Sequence, residues 1–167
     1  MDLASYNYSK EINYGFKIIM IDKKEFYHGV VLARLVCDDK YISLKKHSFG
    51  YVVNDRAFFM VKYTGKTNPP WRFTINTDDI IRLKLCSDEY DDVVLVLVCG
   101  GDGICPLSYN EFLSLVGEKD EIAWIAVKRG FNKQYNVTGS LSKLKDKVSM
   151  LKWPSIIFSK IKEGCIQ

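Results

Sequence analysis

The run Val93–Cys99 (VVLVLVC) constrains the fold more than any other stretch of the chain. Successive side chains of a strand point to opposite faces, so a strand apolar at every position has to bury both of them. That places Val93–Cys99 centrally in a sheet, with other elements covering it on each side. The same run is far shorter than the ~20 apolar residues a membrane-spanning helix needs. With 167 residues, 47% of them apolar and 13% aromatic, the chain has material for one domain with one substantial core. The expectation is a single domain over 1–167, α/β (or α+β), with a central mixed sheet flanked by helices.

Other elements follow from local pattern. Residues 1–14 are polar and tyrosine-rich and read as an arm, and Phe16–Ile21 reads as a short strand. Phe26, Val30, Val31 and Leu35 recur at helical spacing, which predicts an amphipathic helix from Lys24 to Cys37. A strand is expected over Tyr41–Leu44, ended by Lys45-Lys46-His47. Phe49–Val53 and Ala57–Val61 flank Asn54-Asp55, a pair that tolerates the left-handed conformation of tight hairpin turns. Asn68-Pro69-Pro70 is a stiff connector to a strand at Trp71–Ile75. Thr77 with Asp78-Asp79 predicts a capped helix from Asp78 to Cys86, followed by an acidic loop over Ser87–Asp92. Gly100–Gly103 turns the chain back through Ile104-Cys105. Ser108-Tyr109-Asn110-Glu111 matches a capping box, opening a helix over Tyr109–Val116 that stops at Gly117. Glu121–Val127 reads as a second buried strand, Tyr135–Thr138 as a short one, and Ser155–Ile161 as a closing helix.

The stretch with most chemical content is Ser48–Ile75, where a hairpin ends in Val61-Lys62-Tyr63-Thr64. Helix, hairpin, lysine-ended strand, helix and apolar strand, over about Lys24 to Val98, resemble the PD-(D/E)XK restriction-endonuclease-like fold. In that family one acid lies on the first strand, and an acid or glutamine lies two residues before the lysine on the second. The acids hold a divalent metal, and the lysine positions or activates the attacking water. The resemblance carries the family lysine to Lys62. Met60 stands where the second metal ligand would be, and the first acid is missing near Gly50. Asp55 in the turn and Glu25 on the first helix are the carboxylates that would have to substitute, with Mg2+ as the cofactor of any active nuclease. As it stands, the pattern implies a degenerate member that binds without cutting.

Alternation along Trp71-Arg72-Phe73 turns Arg72 away from both aromatics, which are expected in the core. Arg72, Lys62 and Lys66 are then candidates for one basic patch. From Lys128 to Glu163 nine basic residues, among them Lys128, Arg129, Lys133, Lys143 and Lys145, face two acidic ones. Tyr135, Trp153 and Phe158 interleave with them. Basic and aromatic residues together suit nucleic acid, where charge releases counterions and rings stack on bases. A solvated lysine-rich face has the same composition. Residues 128–167 read as a basic extension packed on the core.

Other chemistry finds little support. The five cysteines form no CxxC pair, and two histidines at scattered spacing do not complete a zinc set, so buried reduced thiols are expected. Cys99-Gly-Gly-Asp-Gly-Ile-Cys105 follows a strand as a phosphate loop would, but it has neither GxGxxG nor GxxxxGK[ST] and reads as a hairpin turn. No secretory leader is legible at Met1–Gly15, which suggests a soluble cytoplasmic protein with no membrane partner. The functional expectation is a small nucleic-acid-associated protein with a nuclease-like core. The alternatives are a non-enzymatic module that binds a protein partner or a second copy of itself, and an active metal-dependent nuclease with relocated carboxylates.

Overall fold

The computed structural model describes residues 21–119 and 121–160. The expected arm over 1–14 lies outside them, as does all but the last residue of the expected strand Phe16–Ile21. The elements in chain order are α1 (Lys23–Val36), β1 (Leu44–His47), β2 (Gly50–Val53), β3 (Ala57–Thr64), β4 (Trp71–Ile75), α2 (Thr77–Glu89), β5 (Asp92–Cys99), β6 (Gly103–Ser108), α3 (Tyr109–Val116), β7 (Ala123–Lys128), β8 (Asn136–Gly139) and a final 3-10 turn at Ser155–Phe158.

The strands form a five-stranded mixed sheet in the order β1-β2-β3-β5-β6 and a separate three-stranded sheet in the order β4-β7-β8. β3 and β5 run parallel, and every other pairing is antiparallel. β5 is central, as its composition requires. Val93, Leu95, Leu97 and Cys99 face one apolar layer and Val94, Val96 and Val98 the other. The first layer contains α2, α3 and the inner face of the small sheet, and the second contains α1 and the Trp153–Phe158 segment.

Local chemistry explains the boundaries. Asn54 and Asp55 have φ of 53° and 55°, the left-handed pair that a tight hairpin needs, and β2 and β3 flank them in antiparallel register. The Ser108 hydroxyl accepts from the Glu111 N–H while Glu111 Oε2 accepts from the Ser108 N–H, closing the expected capping box. α3 ends at Gly117, whose φ of 75° suits a residue without a Cβ.

Several expectations need correction. The first strand of the meander is Leu44–His47 rather than Tyr41–Leu44. It pairs with β2 across a tight turn, and as an edge strand it carries Lys45 and Lys46 in solvent. α2 begins one residue earlier than expected because Asn76, not Thr77, is its cap, and it runs on to Glu89, absorbing the first half of the expected acidic loop. β7 is not buried on both faces, for it belongs to the small sheet and leaves Trp124 exposed. The closing element is one 3-10 turn and not a longer helix. Residues 128–160 also contribute side chains to both apolar layers. β8, Tyr135, Val137 and Val148 complete one apolar layer, and Trp153, Ile157 and Phe158 complete the other.

Candidate functional site

β3 is longer than its hairpin partner. β2 pairs with it only as far as Phe59, whereas β5 pairs with it through Thr64. The far end of β3 therefore has a strand neighbour on one side only, and a cleft of about 320 Å³ opens along the other. α1 borders it with Lys24 and His28, the β1–β2 hairpin with Lys46, His47 and Tyr51, and α2 with Asp79 and Arg82.

Lys62 stands at this edge. Two-residue alternation puts it on the same face as Phe58 and Met60, both of which are buried. Its Nζ lies 2.7 Å from Asp79 Oδ2 and donates to the Thr74 carbonyl at 2.9 Å. The same Asp79 oxygen accepts the Asn76 N–H at 2.9 Å, so one carboxylate both starts α2 and anchors the lysine. Pair and cap together fix the cleft wall to the start of a helix.

Among the described residues lining the cleft Asp79 is the sole carboxylate, against four cations: Lys24, Lys46, Lys62 and Arg82. Arg82 lies over the Phe49 ring at 5.2 Å and has a loose 3.9 Å pair with Asp78. On the opposite wall, His28 Nδ1 and the Tyr51 hydroxyl share a hydrogen bond of 2.8 Å, and Tyr27 stacks on Tyr63 with centroids 4.8 Å apart. Burial first, then the neighbouring Lys24 charge, holds the His28 pKa below its ordinary value, with Asp22 opposing weakly. Burial pushes the Tyr51 hydroxyl up. His47 packs edge-on against Phe49 and Phe58, and its Nδ1 is buried without a hydrogen-bond partner among the described residues.

A divalent metal does not fit this donor set. A Cβ at Gly50 would lie 2.3 Å from the Phe59 carbonyl oxygen and 2.6 Å from the Phe58 ring, so no acid can occupy that position without moving β2. Met60, at the position that the resemblance gives to a second ligand, is buried. Among the described residues no group of three or more His, Cys, Asp or Glu side chains is placed to hold a metal ion. Hard divalent cations need several oxygen ligands, and the cleft offers one carboxylate that is already bound to a lysine.

The structure does not bring together the residues expected to carry nuclease chemistry. Asp55 sits at the opposite end of β3 from Lys62 and pairs at 2.6 Å with Lys45, both side chains being exposed. Glu25 is the reciprocal member of the α1 capping box, its Oε2 accepting the Asp22 N–H at 3.1 Å. Neither lines the cleft.

The basic candidates come together only in part. Lys62 and Arg72 line a neighbouring cleft of about 330 Å³. Lys66 turns back on its own loop, donating to the Pro70 carbonyl at 3.1 Å. Lys128, Lys133, Lys143 and Lys145 are exposed. Arg129 is not available to a ligand. Its Nε and Nη2 each donate to Asp102 at 2.7 Å, and Asp102 also accepts the Tyr135 hydroxyl at 3.0 Å.

Sequence reasoning missed Asp79, Arg82, Lys24, Lys46 and Trp124. Asn76-x-x-Asp79 carried a capping-box signal for the first of these, but Thr77 drew the cap assignment one residue too far. The buried cysteines among the described residues are not placed as nucleophiles. The cysteines at 37, 86, 99 and 105 are unpaired, and Cys37 alone of these is exposed. Burial, then Glu89, pushes the Cys86 thiol up to about 11, and Cys99 and Cys105 are raised by burial too. No helix among the described residues is long and apolar enough to cross a membrane. Comparison with protein-family models, with curated proteins and with solved structures returns no match.

Proposed function

We propose that the chain is a nucleic-acid-binding domain that holds phosphates in the Lys62 cleft and does not cleave them by metal chemistry. The observation that carries this is the charge of the cleft, four cations against a single carboxylate already engaged by Lys62. A concave surface of one sign focuses its field and raises the local concentration of counter-ions, and a phosphate backbone is the counter-ion with many charges to offer. The exposed lysines of the 128–145 stretch add to the same sign.

Kinship with the PD-(D/E)XK fold is part of this reading. It is supported by the order α1, β1–β2–β3, then α2 and β5 with β4 interposed before α2, by parallel β3 and β5, and by a lysine near the end of β3. Gly50 and Met60 are what make such a member one that binds.

The test is an anisotropy titration of a labelled oligonucleotide at low salt, with magnesium and with EDTA. Binding that is equal in both, with the oligonucleotide intact on a gel, is the expected result. Absence of binding at low salt would overturn the proposal, and magnesium-dependent cleavage abolished by Lys62→Ala would replace it with an active nuclease.

A further inference from the structure

The small sheet has one face in the core and one in solvent. Trp71, Phe73, Ile75, Ile125 and Val127 fill the inner face. Cross-strand register puts Arg72 opposite Ala126, Thr74 opposite Trp124, and Ala126 opposite Thr138 on the outer one, with Lys128 two residues further along β7. None of these outer residues is acidic, and Arg72, Trp124 and Lys128 are exposed.

Trp124 is the unusual member. Of the three tryptophans, Trp71 and Trp153 are 1% and 3% exposed, whereas Trp124 is 39% exposed. The Arg72 guanidinium lies 5.5 Å from its ring centroid, a cation–π arrangement. The open face of this sheet therefore presents an indole with Arg72 over its ring and Lys128 further along the same strand, and no acidic residue among these outer positions. It matches what unpaired nucleotides require, a π surface for the base and positive charge for the backbone phosphates next to it. In a duplex the base faces are stacked on one another and unavailable, so the complementary ligand is single-stranded.

We propose that the outer face of the small sheet is a stacking platform for single-stranded nucleic acid, with Trp124 receiving a base and Arg72 and then Lys128 meeting successive phosphates along one side of it. This rests on the nucleic-acid reading above for the class of ligand, but on a different face of the molecule. Arg72 also lines the cleft it shares with Lys62, so a strand leaving the basic cleft reaches the platform along one wall.

Tryptophan fluorescence provides the test, since Trp124 is the exposed indole. The probes are an oligothymidine single strand, a duplex of the same length, and poly-glutamate as a plain polyanion. Quenching by the single strand, and single-strand affinity lowered about five-fold or more by Trp124→Ala but largely kept by Trp124→Phe, are the expected results. Duplex affinity should stay unchanged in both variants, which also shows that both are folded.

Single-strand affinity unchanged in Trp124→Ala would overturn the platform. So would poly-glutamate competing as well as the oligonucleotide, which would make the face a surface for acidic protein. Lys46→Ala with Arg82→Ala separates the two proposals. Duplex binding untouched by that pair would sink the cleft reading and leave the platform standing, whereas a loss there with no Trp124 effect would sink the platform alone.

Discussion

Asp79 and Asp102 are both mostly buried carboxylates that take one strong cation each, and they differ in what is left over. At Asp102 the pairing is saturated. Arg129 engages both oxygens as a fork, Tyr135 adds a hydroxyl, and Arg129 uses a further N–H on the Gly130 carbonyl at 3.3 Å. At Asp79 one oxygen serves both Lys62 and the Asn76 N–H, while Lys24, Lys46 and Arg82 border the same cleft without another acid lining it. The first arrangement ties the β5–β6 turn to the end of β7. The second leaves net positive charge facing an opening. A charged residue in a sequence therefore says little until its partner is known, since saturated pairs specify structure and incompletely matched ones can hold a ligand.

That difference gives an ordered set of expectations. The largest effect should come from Arg129→Ala, which strands the Asp102 carboxylate. Severing a buried pair from one side costs about 3–5 kcal/mol. With side-chain exposures of 12% and 20% for the two partners, the low end, about 3 kcal/mol, is expected. Urea denaturation would measure it, and the variant still folded should bind oligonucleotide as wild type does. A loss of binding without loss of stability would instead make Arg129 a contact residue.

Next in size is Gly50→Asp, which places an acid where the resemblance to the PD-(D/E)XK fold would put one. The Phe59 carbonyl and the Phe58 ring leave no room for it, so a destabilisation of about 2 kcal/mol is expected, with no gain of magnesium-dependent cleavage. A folded variant that cuts DNA with magnesium would show that the cleft needed only one acid to become a nuclease.

The smallest effect concerns His28. Its folded pKa lies below the unfolded 6.5, because burial and Lys24 disfavour the imidazolium. The unfolded chain then binds the proton more readily, so the stability His28 contributes is present above pH 6.5 and is lost as pH falls through the folded pKa. Wild type should therefore lose more stability than His28→Gln between neutral and mildly acid pH. Parallel pH curves for the two would remove His28 from the account. The same protonation adds a positive charge to the cleft, so oligonucleotide affinity should rise as stability falls.

Much of the fold was legible because it is written locally. Val93–Cys99 required a central strand, Ser108-x-x-Glu111 fixed the start of α3, and Asn54-Asp55 fixed a hairpin. Pairings over long separations were not. β4 joins β7 and not the sheet of the hairpin next to it in sequence, and this division into two sheets decides which way Arg72 and Trp124 point. In Glu121–Val127 every residue after the glutamate is apolar, so composition alone called for burial on both faces, and only the register with β4 exposes Trp124. Lys62 was legible from its place at the end of an apolar strand. Its partner was not, because Asp79 comes from a helix reached only after β4 has been threaded between them.

The central claim is that the Lys62 cleft binds phosphates through charge, and the salt dependence of oligonucleotide affinity tests it most directly. The logarithm of affinity should fall steeply with the logarithm of salt concentration. Lys46→Ala and Arg82→Ala should each make that slope shallower by about one, as expected for the loss of one phosphate contact. A flat salt dependence, or a slope that neither substitution changes, would contradict the account.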